Sequence, residues 1–171
     1  MTTASIPPDD PRRTLTVAHP DAADATHITL AGNIYTMLVS GADTAGRYCL
    51  IDMRIPEGGG PPPHRHDFEE MFTILSGQIE FTLRGETTTV GEGTTVNIPA
   101  NAPHFFRNTS DAPARMLCMC APAGQDEYFA RVGIPITDPD SPPPAPTEQQ
   151  QAESRRLAES LAATYRTELL S

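Results

Sequence analysis

Between residues 33 and 121, short apolar or β-branched runs alternate with glycine, proline and asparagine, and this pattern limits the fold more than any other feature of the chain. The runs are 34–39, 48–55, 70–75, 78–83, 87–90, 94–98, 104–108 and 114–120. The breaks, at Gly41, Gly46, 58–60, Gly77, Gly85, 91–93 and 99–103, carry turn chemistry. Runs of this length at this spacing predict an all-β sandwich or barrel. A further strand is expected near 27–30. Gly77 is the sole spacer between two runs, which predicts a tight hairpin there.

The flanks differ in character. Residues 1–25 are polar and rich in Pro, Asp and Ala, and read as a flexible arm ahead of a barrel over 26–122. The remainder, 123–171, reads as a helical extension. It comprises a short helix over 125–132, a Pro-rich extended connector over 133–146, and a helix over 147–170. Thr147 followed by Gln150 is a capping-box pattern. Leu157, Leu161, Tyr165 and Leu169 recur every four residues as one apolar stripe. That stripe is expected to pack on the barrel or a second subunit; the alternative is a lid or partner-binding helix.

With 171 residues the chain fits one domain with a real core. Its net charge of −10 argues against nucleic acid or an anionic membrane as partner, since both demand a basic surface. No apolar run approaches the roughly 20 residues of a membrane span. Residues 1–13 carry Pro and Asp where a signal peptide needs a basic and then an apolar stretch, so a cytoplasmic location is expected. Three cysteines fit a reducing compartment. Cys118 and Cys120, two apart on one strand, share a face and are not a CxxC pair. Cys49, Cys118 and Cys120 are expected to be buried as small apolar side chains, with pocket lining as the alternative.

The informative stretch is 58–77. His64 and His66 are two apart, so on extended backbone both point the same way, and Glu70 keeps that parity. Two imidazoles and a carboxylate suit first-row divalent metals. Glu69 has the opposite parity, and Asp67 is expected in an exposed loop. In a second stretch, Pro99, Asn101 and Pro103 form a turn that aims His104 inward from the start of a new strand; Asn101 tolerates a left-handed backbone. His19 and His27 lie apart from both stretches and are expected to be surface or packing residues.

These two stretches resemble the paired motifs of the cupin superfamily. The first motif is Gly, five residues, His-x-His, three or four residues, Glu, six residues, Gly, and it is met by Gly58, His64, His66, Glu70 and Gly77. The second is Gly, five residues, Pro-x-Gly, two residues, His, three residues, Asn. Gly93, Pro99, His104 and Asn108 meet it, with Asn101 where Gly is usual. Between the motifs lie 15 residues. The resemblance covers roughly residues 30–122. It implies a jelly-roll barrel in which His64, His66, Glu70 and His104 hold one divalent transition metal: Fe, Mn, Ni, Co or Zn. Four protein ligands on an octahedral ion leave two positions open for ligand exchange or catalysis.

Strand parity places Phe72 and Ile74 inward with Glu70, and Phe106 and Asn108 inward with His104. Ile51 and Met53, together with Cys49, form the more apolar face of the preceding strand. Ile51, Met53, Phe72, Ile74, Phe106 and Asn108 are therefore the expected substrate pocket, apolar and suited to an aromatic or planar molecule. The alternative for each is plain core filling.

The triple proline before His64, the Glu70-x-Phe72 start and the 129–135 segment ahead of a C-terminal helix are similar to small bacterial single-cupin proteins resembling quercetin 2,3-dioxygenase. That resemblance implies a metal-dependent dioxygenase acting on an aromatic or enol small molecule, with Glu70 as the catalytic proton acceptor. A non-redox isomerase or lyase using the metal as Lewis acid, and a binding cupin without catalysis, are the alternatives. A homodimer is expected.

Overall fold

The runs rich in Ile, Phe, Met and Thr fold as strands that bury alternate side chains. The computed structural model describes residues 6–141 and 146–170. In chain order the elements are β1 (Thr26–Leu30), β2 (Asn33–Val39), β3 (Cys49–Ile55), β4 (His64–His66), β5 (Glu69–Ser76), β6 (Gln78–Leu83) and β7 (Glu86–Gly91). They continue as β8 (Thr95–Ile98), β9 (His104–Arg107), β10 (Ala114–Ala121), α1 (Gln125–Val132), β11 (Ile134–Ile136), α2 (Glu148–Leu161) and β12 (Thr167–Leu169). All strand pairs are antiparallel. A seven-stranded sheet has the order β11-β1-β2-β3-β10-β5-β8, and a five-stranded sheet the order β12-β4-β9-β6-β7. The all-β expectation with a C-terminal helix holds.

The core sits between the two sheets. Strand β10 alternates buried and half-buried along its whole length, sending Ala114, Met116, Cys118 and Cys120 inward. From β5 come Glu70, Phe72 and Ile74; from β3, Cys49, Ile51 and Met53. Phe72 packs against Phe81 of β6 at 5.1 Å and Phe106 of β9 at 5.5 Å between ring centroids, which joins the sheets across the middle. Two tight turns follow the hairpin rule. Ala31 and Gly32, and Arg84 and Gly85, all have positive φ, the type I′ geometry that matches strand twist.

Gly77 is not a hairpin. Strand β5 pairs with β10 and β8, while β6 pairs with β7 and β9, so the chain crosses there from one sheet to the other. A single residue cannot close an antiparallel ladder, but it can bend a continuous strand. Gly77 does so at φ 77°, with the Ala114 backbone so near that an added Cβ would lie 2.8 Å from Ala114 Cα. Gly77→Ala is therefore expected to cost about 1–3 kcal/mol from overpacking, with left-handed strain added. A thermal midpoint lowered by several degrees would show it, and an unchanged midpoint would contradict it.

The expected helix over 147–170 is shorter. Helix α2 stops at Leu161, and Thr167–Leu169 instead forms strand β12. Its start is as expected: Thr147 Oγ1 accepts from Gln150 N, and the Gln150 side chain accepts from Thr147 N. A helix continued to Leu170 would leave the outer edge of β4 bare. The stripe divides accordingly. Leu161 and Tyr165 pack on the core, while Leu157 and Leu169 are exposed.

The connector expected to be extended supplies β11, which pairs with β1; its residues 142–145 lie outside the described residues. The arm has neither helix nor strand over 6–25, and its residues 1–5 also lie outside the described residues. Its apolar side chains Ile6, Leu15 and Val17 are exposed. Among the described residues, no helix is long and apolar enough to cross a membrane.

Candidate metal centre

Strand β4 is three residues long, and its burial pattern is simple: His64 and His66 point inward and Arg65 outward. Such a short strand is held from both sides. His64 pairs with His104 of β9, and β12 closes the other edge with Thr167 opposite His66 and Leu169 opposite His64. Arg65 pairs with Glu168, while Arg166 and Asp67 form a second ion pair at 2.6 Å. Asn101, at φ 69°, donates its backbone N–H to His66 O at 2.6 Å. That contact seats the turn which delivers His104. Glu70 arrives from the opposite sheet on β5.

The four side chains converge. One donor atom from each of His64, His66, Glu70 and His104 lies within 4.8 Å of the others, and all four residues are buried. Glu70 Oε2 is 3.0 Å from His66 Nε2 and 3.2 Å from His104 Nε2. The far nitrogen of every ring faces a backbone carbonyl. His64 Nδ1 donates to Pro62 O at 2.9 Å, His66 Nδ1 to Phe68 O at 3.0 Å and His104 Nδ1 to Ala102 O at 2.9 Å.

A carbonyl oxygen can only accept, so each of the three rings carries a proton on Nδ1, and in its neutral form each turns an Nε2 lone pair away from the carbonyl. A carboxylate oxygen at 3.0 Å from such a lone pair needs a proton or a cation between them. The donor set thus fits a divalent metal, and the carbonyl partners are the outer-shell contacts that fix a metal-binding tautomer.

The electrostatics agree. Burial first, and the His104 ring second, push the His64 pKa down to about 4. Burial alone would raise the Glu70 carboxyl; without a cation, the His104 and His66 rings, each bonding it through a proton at Nε2, outweigh burial and hold the group below the usual carboxylate range. Glu69 points outward, accepting from Asn97 Nδ2 and Ala100 N, as its parity requires. His19 is exposed, and buried His27 bonds Thr36 Oγ1 through Nδ1 at 2.8 Å.

Ile51, Met53, Phe72, Ile74 and Phe106 point into the barrel and belong to its packed core. Asn108 is also inward and buried, but its Nδ2 donates to Ile55 O and Ala112 O, and its Oδ1 accepts from Ser110 N and Oγ. Those bonds use every polar group it has. Three neighbours of the site are not assigned to it by sequence reasoning. Phe68 stacks on His66, with centroids 3.8 Å apart and planes 3° from parallel. Cys118 and Cys120, expected to be buried and indeed so, bring their sulfurs to 3.3 and 3.8 Å from Glu70 Oε1. Burial pushes the Cys118 thiol up to about 12, so it stays protonated. The pairing of Cys120 with Glu70 across β10 and β5 creates that contact, and no local pattern announces it.

Residues 51–120 match the family pattern described as the cupin domain. The chain belongs to the cupin family. This cupin is 27% identical over 130 residues to quercetin 2,3-dioxygenase of Bacillus subtilis, covering 75% of this chain and 37% of that one. The chain thus spans little over a third of that relative. It is 32% identical over 98 residues to an uncharacterized protein of Methanocaldococcus jannaschii, 56% of this chain and 78% of that one. Among solved structures, the polyketide cyclase RemF of Streptomyces resistomycificus superposes with a TM-score of 0.55 at 22% identity, over 83% of this chain and 94% of that one. A predicted oxalate decarboxylase of Thermotoga maritima superposes with a TM-score of 0.55 at 19% identity, over 62% and 98%. At such identities the two structures establish the fold.

Proposed function

We propose that this cupin is a metal-dependent enzyme, and that it is a dioxygenase acting on an aromatic or enolic small molecule. His64, His66, Glu70 and His104 are the proposed ligands of one divalent transition metal. The observation that carries this reading is the shared ring orientation: three Nδ1–H groups tied to carbonyls leave the opposite ring edges of His64, His66 and His104 to converge with Glu70, whose Oε2 faces Nε2 of His66 and of His104. The similarity to a quercetin 2,3-dioxygenase supports the choice of reaction. Bound there, the metal would supply Lewis acidity and, if redox-active, one-electron chemistry with dioxygen.

The chain's own residues do the rest. The three carbonyl contacts keep the rings in place and their lone pairs inward. Burial of all four side chains excludes bulk water. Glu70, the one carboxylate of the set, is the proposed acceptor of a proton from a substrate hydroxyl. The proposed approach from outside lies beside the β4–β5 turn. A groove of about 490 Å³ is lined by Gly41, Gly46, Phe68, Ala123, Tyr165 and Arg166, among others. Its wall includes Phe68, whose ring lies directly on His66. Two aromatic rings among glycines and alanines suit a flat molecule.

Oxygen uptake and ring-cleavage products, measured on protein loaded with Fe, Mn, Ni, Co or Zn against a panel of phenolic and enolic compounds, test the reading. Turnover that needs dioxygen and a redox-active metal supports it. Equal turnover with zinc under anaerobic conditions assigns the site to Lewis-acid chemistry instead, and absence of turnover with every metal rejects catalysis on that panel. The proposed approach is checked separately. Phe68→Ala removes a ring stack worth about 0.5–1.5 kcal/mol. Chelator-driven metal release should then quicken by about threefold to tenfold, whereas an unchanged rate would place the approach elsewhere.

A further inference from the structure

Glu70 divides its two oxygens between different partners. Oε2 faces the Nε2 atoms of His66 and His104, and Oε1 turns the other way, into the seven-stranded sheet. There its hydrogen-bond partners among the described residues are two sulfurs, Cys118 Sγ at 3.3 Å and Cys120 Sγ at 3.8 Å. The sulfurs are 3.7 Å apart, and both residues are fully buried. The register explains the arrangement: Cys120 is the cross-strand partner of Glu70, and Cys118 is the next inward residue of β10. Cys49 of β3 stands opposite Cys120 on the far side, so it belongs to the same layer without contacting Glu70.

We infer that Cys118 is a positioning residue for the metal carboxylate: its thiol donates to Oε1, so that Glu70 offers the ion Oε2 alone. The inference rests on the metal reading above. A carboxylate with both oxygens free can rotate to bind a cation through both. One whose Oε1 is occupied by a donor at its back is held to a single contact, which keeps a coordination position clear. The hydrogen bond also fixes the carboxylate plane that the three rings meet. Cys120 lies farther from Oε1 and in contact with Cys118, so it supports the Cys118 sulfur more than it replaces it. No covalent chemistry is required of either thiol, and the full burial of all three cysteines fits that role.

The test uses the full chain loaded with Co²⁺, whose visible absorption reports coordination number. Its affinity is read by competition with a chelator. Cys118→Ala and Cys118→Val remove the donor, Val with less loss of volume; Cys118→Ser keeps a donor. Cys49→Ala removes a buried thiol of the same layer away from Glu70.

We expect Cys118→Ala and Cys118→Val to change the Co²⁺ spectrum and to weaken binding by about tenfold or more. Cys118→Ser should retain the wild-type spectrum with affinity within about threefold. Cys49→Ala should lower thermal stability while leaving spectrum and affinity unchanged. Wild-type behaviour of the donorless variants would overturn the inference, as would equal effects of Ser and Ala, or of Cys49→Ala and Cys118→Ala. Failure of the wild-type chain to take up Co²⁺ would instead overturn the metal reading itself, so the two failures are told apart.

Discussion

His104→Ala is expected to abolish metal retention. His104 is the one proposed ligand on β9, and its Nε2 lies 3.2 Å from Glu70 Oε2. Loss of an outer-shell partner at a metal site typically costs 10–100-fold in affinity. Loss of a direct ligand should cost at least about 100-fold, since the charge donated to the ion and the geometry around it both change. No second imidazole is at hand to replace it. Ala102 O, which orients the ring, is a backbone acceptor facing away from the ion, and the buried pocket brings no other imidazole within reach. Elemental analysis after dialysis should find a single equivalent of metal on the wild-type chain and almost none on the variant. His19→Ala and His27→Ala should retain it, because neither ring belongs to the cluster. Circular dichroism separates a lost ligand from a lost fold. A folded His104→Ala chain that keeps a full equivalent would remove His104 from the ligand set.

The same substitution tests how the ion couples the two sheets. Three proposed ligands lie on the five-stranded sheet and Glu70 on the seven-stranded one. An ion held by all four would bind the folded chain and not the unfolded one. At a free concentration 100 times its dissociation constant it would add about 2.7 kcal/mol of stability. That gain should vanish in His104→Ala, while the variant's metal-free stability reports packing alone.

Much of this site was legible in the sequence because it is built from local parity. His64 and His66 share a face for the reason any i, i+2 pair on a strand does, and Glu69 faces away from Glu70 by the same alternation; Glu70 itself meets the two rings because the chain leaves β4 at 67–68 and passes to the other sheet, which parity along one extended strand does not describe. Asn101 could be read because few residues accept positive φ. What escaped depends on non-local register or on the meeting of distant segments. The Cys120–Glu70 pairing requires knowing that β10 lies beside β5, 50 residues earlier in the chain. The β12 clamp on β4 joins residues 103 apart, between Arg65 and Glu168. Periodicity alone favoured continuing the helix through that segment, because Leu169 happens to keep the four-residue spacing. Gly77 was misread for a related reason. A glycine between two strands signals a change of direction, but whether the chain folds back or passes to another sheet is decided by partners that local sequence does not name.

Metal-free protein should lose stability in acid between about pH 6.5 and 4, and His64 is the cause. Its ordinary pKa of 6.5 is pushed down to about 4 in the folded chain, by burial first and by the neighbouring His104 ring second. Unfolded, the ring takes up a proton near pH 6.5; folded, it does so only near 4. Between those values the unfolded state binds more protons, so stability falls as pH falls. The contribution is complete above 6.5, and the loss reaches about 3 kcal/mol near pH 4 before levelling off. Glu70 acts lower on the scale. Its folded pKa is held below the ordinary carboxylate value, so its contribution is present above that value and is lost only as pH drops through the folded pKa. Urea unfolding in the presence of chelator, at steps from about pH 7.5 to about 2.5, would resolve the two. His64→Gln, which removes the titrating ring, should flatten the slope between pH 6.5 and 5 and leave the more acid limb in place. A variant with the wild-type slope would transfer the effect to another group. Added metal should move the wild-type loss to lower pH, because protons then compete with a cation for the same Nε2 lone pair.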